Sequence, residues 1–156
     1  MDAAIEYKSK SILKREKRKD GKMHLNKEDV DVKIDIPGAV LRQQTDFGEA
    51  GGFGKISGEY FSLSAGVDTT DLFKGLEGDL CQCPHWGYVL KGQITTTDSK
   101  GRRETVKEND LFYWPPGHNV KVDSDAEIIM FSPQAEHSHV INHMKNKVNS
   151  APLENA

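Results

Sequence analysis

Cys81-Gln82-Cys83-Pro84-His85-Trp86-Gly87-Tyr88-Val89-Leu90-Lys91-Gly92 is the stretch on which the fold turns. Aromatic and aliphatic residues gather before a glycine, which predicts a strand from Cys81 to Leu90 that ends at Gly92. A further strand is expected at Ile94 to Thr97, and Asp98-Ser99-Lys100-Gly101 supplies turn chemistry into Arg102 to Val106. Glu108, Asn109 and Asp110 make the next turn, asparagine tolerating a positive φ. Leu111 to Trp114 leads into Pro115-Pro116-Gly117, and strands at Val120 to Val122 and Glu127 to Phe131 complete a meander. Short strands at near-regular spacing, with turn residues between them, predict an all-β sandwich or closed barrel.

Towards the N-terminus, Val30, Val32, Ile34 and Ile36 alternate with Asp31, Lys33 and Asp35, the period of a strand with one wet face. Pro37 and Gly38 turn the chain into a second extended stretch, Ala39 to Thr45. The glycines at 48, 51, 52, 54 and 58 mark a connection or hairpin before Tyr60, Phe61 and Leu63. Ala65 to Asp79 reads as loop, with a short helical turn around Asp71 to Lys74. Lys8, Lys10, Lys14, Arg15, Lys17, Arg18, Lys19 and Lys22 make residues 1–28 a flexible basic arm with little to bury. Beyond the barrel, residues 29–132, Ser132 as cap and Pro133 at the first position open a C-terminal helix over 133–149. Val140, Ile141, Met144 and Val148 form its apolar stripe, His137, His139 and His143 are expected as solvated helix residues, and 150–156 as a disordered tail.

A chain of 156 residues suits one core. Its net charge of -3 argues against nucleic acid as the partner of the whole domain. No run approaches the ~20 apolar residues of a membrane span, and the first residues lack the apolar centre of a secretory signal. With two cysteines and no such signal, the expectation is a cytoplasmic protein. In an extended segment the Cβ atoms of Cys81 and Cys83 lie about 6–7 Å apart, against ~3.8 Å in a disulfide, so a bridge between them is disfavoured. There is neither a phosphate-binding glycine loop with its Lys-Ser or Lys-Thr pair nor a Gly-x-Ser-x-Gly elbow.

Cys83-Pro-His-Trp-Gly-Tyr-Val-Leu-Lys-Gly92 and Glu108-Asn-Asp-Leu-Phe-Tyr-Trp-Pro-Pro-Gly-His118 resemble the two sequence motifs of the cupin superfamily, over roughly residues 78–132. The resemblance implies a double-stranded β-helix, or jelly-roll, barrel, whose members bind metal through three histidines and a glutamate and are often homodimers. Tyr88, Val89, Leu90 and Gly92 match the scaffold of the first motif, and Asp110, Pro115 and Gly117 that of the second. The ligand positions differ. The family's glutamate falls on His85, its first two histidines near Asp79 and Cys81, and its third on Val120, with His118 two residues before.

Strand parity continues where the motif stops. If His85 points into the barrel, Cys81 and Cys83 share its face so long as no bulge intervenes, and His118 shares a face with Val120. Cys81, Cys83, His85 and His118 then form a candidate metal site at the barrel mouth, a donor set suited to zinc first, or to iron or another transition metal. Tyr113 and Val120 are the expected pocket walls. Trp86 and Tyr88 face outward as a homodimer surface. The plain alternative makes the cysteines small core residues and His85 a hydrogen-bonded one. Three functions fit: a barrel that binds a small-molecule ligand with a divalent metal, a metal-dependent enzyme of the dioxygenase or isomerase kind, or a metal-free structural or regulatory dimerisation module.

Overall fold

Alternating burial is the signature of the chain's strands: Ala39, Leu41 and Gln43 are buried in one, Ser57, Glu59 and Phe61 in the next. In a computed structural model, residues 23–151 are described, and the chain divides into two units, Met1–Val30 and Asp31–Ala156. In the first unit Asn26 caps a 3-10 turn, Lys27–Asp29, its side-chain oxygen accepting the Glu28 N–H at 3.0 Å. The basic arm up to residue 22 and the tail after residue 151 lie outside the described residues.

The second unit contains β1 (Val32–Ile36), β2 (Ala39–Glu49), β3 (Lys55–Leu63), β4 (His85–Asp98), β5 (Arg103–Lys107), β6 (Leu111–Trp114), β7 (His118–Pro133) and α1 (Gln134–Ser150). All pairings between strands are antiparallel, in the order β1-β2-β3-β7-β4-β5, with β6 also on β4. The expected all-β barrel with a C-terminal helix is therefore what the chain forms. Among the described residues no helix is long and apolar enough to cross a membrane.

Two sequence expectations fail together. The separate strands at Cys81–Leu90 and Ile94–Thr97 are one strand, β4, and those at Val120–Val122 and Glu127–Phe131 are likewise one, β7. Gly92 does not end a strand; it bends one. Its φ is 86° and a Cβ there would lie 2.1 Å from the Asp125 carbonyl oxygen, so only glycine lets β4 press against β7 at the bulges between Val89 and Ile94. The β4–β7 ladder thus turns a corner. Its first half carries β6 opposite His85 to Tyr88, its second carries β5 opposite Gln93 to Thr97, and an isolated bridge from Cys81 to His118 closes the far side. His85 and His118, at opposite ends of that ladder, come to face one interior.

Local corrections have local causes. The strand starts at His85 rather than Cys81, because the chain bends at Cys83 and Pro84 has no N–H to give a ladder. Asp71 to Lys74 forms turns, and the nearby 3-10 helix sits at Glu77–Asp79. The N-cap of α1 is Pro133, not Ser132, whose hydroxyl is engaged inside the barrel. The helix buries His137, Val140, Ile141 and Met144, the i, i+3, i+4, i+7 pattern of one face.

Candidate metal centre

Backbone hydrogen bonds place the first two donors side by side. The Cys81 N–H donates to the His118 carbonyl at 2.9 Å, and the Gly117 and His118 N–H groups donate back to the Cys81 carbonyl. His85 opens β4 opposite Trp114, so both point inward. Donor atoms of Cys81, His85 and His118 lie within 4.8 Å of one another, with Cys81 Sγ 3.5 Å from His85 Nε2. The first turn of α1 adds His137, whose ring centre is 4.3 Å from that of His85, while the rings of His85 and His118 are 5.3 Å apart.

Behind these rings lies a buried network centred on Glu59. Its Oε1 accepts from His137 Nδ1 at 2.6 Å, Ser57 Oγ at 2.7 Å and Gln43 Nε2 at 3.3 Å, and its Oε2 accepts the Ser132 hydroxyl at 3.0 Å. Ser132 has one proton and gives it to Glu59, so its oxygen receives the His85 Nδ1–H at 2.7 Å. His118 Nδ1 meets the Pro115 carbonyl at 2.6 Å, and a carbonyl can only accept. Nδ1 therefore carries a proton on all three imidazoles, and on His85 and His118, where burial resists a second proton, Nε2 keeps its lone pair. Nδ1 is held by carboxylate, hydroxyl or carbonyl, the arrangement that orients metal-binding histidines.

Burial resists charge on His85, His118 and Cys81 where no cation shares the site. It pushes the His85 imidazole well below the usual histidine range, with His137 and His118 adding to the effect. His118 is lowered to about 4, again by burial first; the Pro115 carbonyl opposes this and His137 reinforces it. The Cys81 thiol is raised to about 12 by burial, and burial raises the Cys83 thiol as well. Neutral imidazole nitrogens and an unionised thiol face each other, ligands held ready in a low-dielectric site.

The four side chains line a cavity of about 70 Å3, well above the ~10–15 Å3 that one water requires. Trp114 and Val120 also line it, the latter as expected. Tyr113 does not: it is 53% exposed and its ring lies tilted against Trp86, because register puts Trp114 opposite inward-facing His85 and Tyr113 opposite outward-facing Trp86. Cys83 is buried but stands outside the cluster, its Sγ turned to the carbonyls of Pro84 and Pro133 at 3.4 and 3.8 Å. The bend at Cys83 breaks the parity that would have aligned it with Cys81. Both cysteines are free thiols.

His137 is the largest correction. Expected in solvent, it is 2% exposed and joins the cavity wall. Its position, one helical turn before Val140 and Ile141, was the signal: it belongs to their stripe. His139 is exposed as expected, and His143 bonds the Lys74 carbonyl at 2.9 Å. Glu59 and Ser132 were also missed. Glu59 is in phase with Phe61 and Leu63, which placed a carboxylate on the apolar face of β3.

A strand ladder folded over on itself, closed by the Cys81 bridge and backed by α1, is a cupin-type barrel. No protein-family model matches the sequence, and no curated protein does. Among solved structures the chain is similar to the oxalate decarboxylase of Lactobacillus farciminis in its formate complex, at 16% identity and a TM-score of 0.50, over 70% of this chain and 32% of that one. It is also similar to oxalate decarboxylase from Bacillus subtilis at pH 4.6, at 20% identity and a TM-score of 0.48, over 70% of this chain and 28% of that one. The chain thus spans about a third of the length of these structures, and at 16% identity the likeness to the Lactobacillus farciminis structure is one of fold.

Proposed function

We propose that the chain is a small-molecule-binding cupin-type barrel that holds a divalent transition metal, zinc foremost, through Cys81, His85 and His118, a three-donor set that leaves one position open. The observation that carries this is the common tautomer of His85 and His118: each buried imidazole donates Nδ1–H backward and keeps Nε2 free, within reach of the Cys81 sulfur. The donor spacing agrees. Bonds of ~2.3 Å to sulfur and ~2.0–2.1 Å to nitrogen put tetrahedral S and N donors ~3.5 Å apart, the separation of Cys81 Sγ and His85 Nε2. Mixed thiolate and imidazole donors favour zinc and other borderline-soft ions.

The cavity beside the donors favours a second reading, a metal-dependent enzyme, in which the bound ion would polarise a ligand as a Lewis acid. In either reading the chain's own residues do the same work. Glu59, Ser132 and Pro115 hold the imidazoles in register, and α1 with the apolar wall limits water.

Protein purified without chelator and dialysed against zinc is expected to retain a single equivalent by elemental analysis. His85→Ala and Cys81→Ser are expected to lower retention, whereas Cys83→Ser should leave it unchanged. Retention by the wild type below about a tenth of an equivalent rejects the site.

For the partner we propose a second copy of the chain. The Trp86 ring lies tilted against Tyr113 at 5.3 Å and Trp86 pairs in register with both Tyr113 and Phe131, which stacks on Phe47 at 6.1 Å, giving an aromatic band on the outer face. Light scattering is expected to give the mass of a dimer for the wild type and of a monomer for Trp86→Lys. A monomeric wild type removes the proposal.

A further inference from the structure

The wall facing the donors narrows the choice of ligand. It is built from Leu41, Phe61, Phe73, Val122, Ile128 and Met130, among other apolar residues, and among the described residues no lysine, arginine, aspartate or glutamate lines the cavity. An anion entering it meets no cationic side chain. The centre itself has no positive charge to spare. A divalent ion is offset by one negative charge on a coordinated Cys81 thiolate and a second on Glu59, which accepts every hydrogen bond it makes and lies directly behind His137. The buried assembly of ion, thiolate and carboxylate is neutral. Adding a carboxylate or dicarboxylate leaves one or two net charges in a low-dielectric interior, where an uncompensated ion is penalised by several kcal/mol. A neutral ligand avoids that penalty and gains apolar contact on every other side.

We infer that the cavity takes a small, uncharged, largely hydrocarbon molecule with one sulfur, nitrogen or oxygen donor directed at the centre, and discriminates against carboxylates. The inference rests on the metal reading above. It goes beyond the fold, since similarly folded barrels accommodate different ligands through the residues that line them.

The test uses the full chain loaded with cobalt(II), whose visible absorption reports both its own coordination and any added ligand. Dimethyl sulfide and imidazole serve as neutral probes, acetate and oxalate as anionic ones, at constant ionic strength. The expected result is a spectral shift with dimethyl sulfide or imidazole at concentrations about 10-fold or more below those needed for either anion. Equal or tighter binding of acetate or oxalate overturns the ligand class and leaves the metal site standing. Cobalt uptake with no response to any probe means a closed coordination shell and also overturns it. Failure to take up cobalt removes the metal reading and the ligand class with it, an outcome visible before any probe is added.

Discussion

Glu59→Gln is expected to weaken metal binding by about 10–100-fold and to lower the stability of the metal-free protein by about 1–3 kcal/mol. Glu59 is 1% exposed, and Ser57, Ser132, His137 and Gln43 all donate to its two oxygens. A glutamine replaces one acceptor with an NH2 group, so at least one donor must be left facing another donor in a dry interior. The consequence reaches two imidazoles at once. His137 loses the carboxylate that fixes its Nδ1 proton, and Ser132 no longer has a charged acceptor to which it can turn its own proton away from His85. The tautomers can then reverse and present N–H to the cavity. Nitrogen-15 chemical shifts of the imidazoles distinguish this from a loss of packing: in the wild type His85 and His118 should show protonated Nδ1 and bare Nε2, whereas the variant should show a mixture at position 85 but not at 118. Ser132→Ala should disturb His85 alone. Wild-type metal affinity in Glu59→Gln, with unchanged shifts, would remove Glu59 from the site.

How far these roles could be read in advance depends on the range of the signal. Strand periodicity and turn residues are local, so the all-β architecture and most strand positions were legible, as was the inward direction of His85 and His118. The corner at Gly92 was not. A glycine flanked by extended residues reads equally as a turn or as a bulge, and only the Asp125 backbone lying against it, more than thirty residues on, decides the matter. Cys83 failed for a similar reason, since one bend at Pro84 reverses its parity relative to Cys81. His137 and Glu59 belong to a different kind of miss. Each polar side chain lies in phase with apolar neighbours, and such a residue is expensive to bury unless a partner waits for it. Here each is the other's partner, and nothing in the sequence joins β3 to a helix almost eighty residues later.

Lowering the pH of the metal-free protein from 7.5 to about 4 is expected to remove roughly 3 kcal/mol of stability through His118 alone, and more in the same direction through His85. His118 titrates near 6.5 when unfolded and near 4 in the fold, because burial resists its charge. Between those values the unfolded chain takes up a proton that the native site refuses, so unfolding becomes easier as the pH falls. Above about 6.5 both states leave the imidazole neutral and the dependence disappears. Urea midpoints measured across this range should therefore fall towards acid, and His118→Gln, which cannot titrate, should flatten the curve. Saturating zinc should raise the midpoint near neutrality but progressively less at lower pH, since protons compete for the same nitrogens and for the Cys81 sulfur. The two effects share one cause. An imidazole kept neutral by an apolar surround is a better ligand and a worse base, so the acid sensitivity of the metal-free protein and the metal affinity of the intact one should rise or fall together as the cavity wall is changed. Replacing apolar Val122 by threonine, which brings a polar atom into that wall, is expected to reduce the acid sensitivity and the metal affinity together. A variant that altered one and left the other untouched would show that burial is not what prepares these nitrogens.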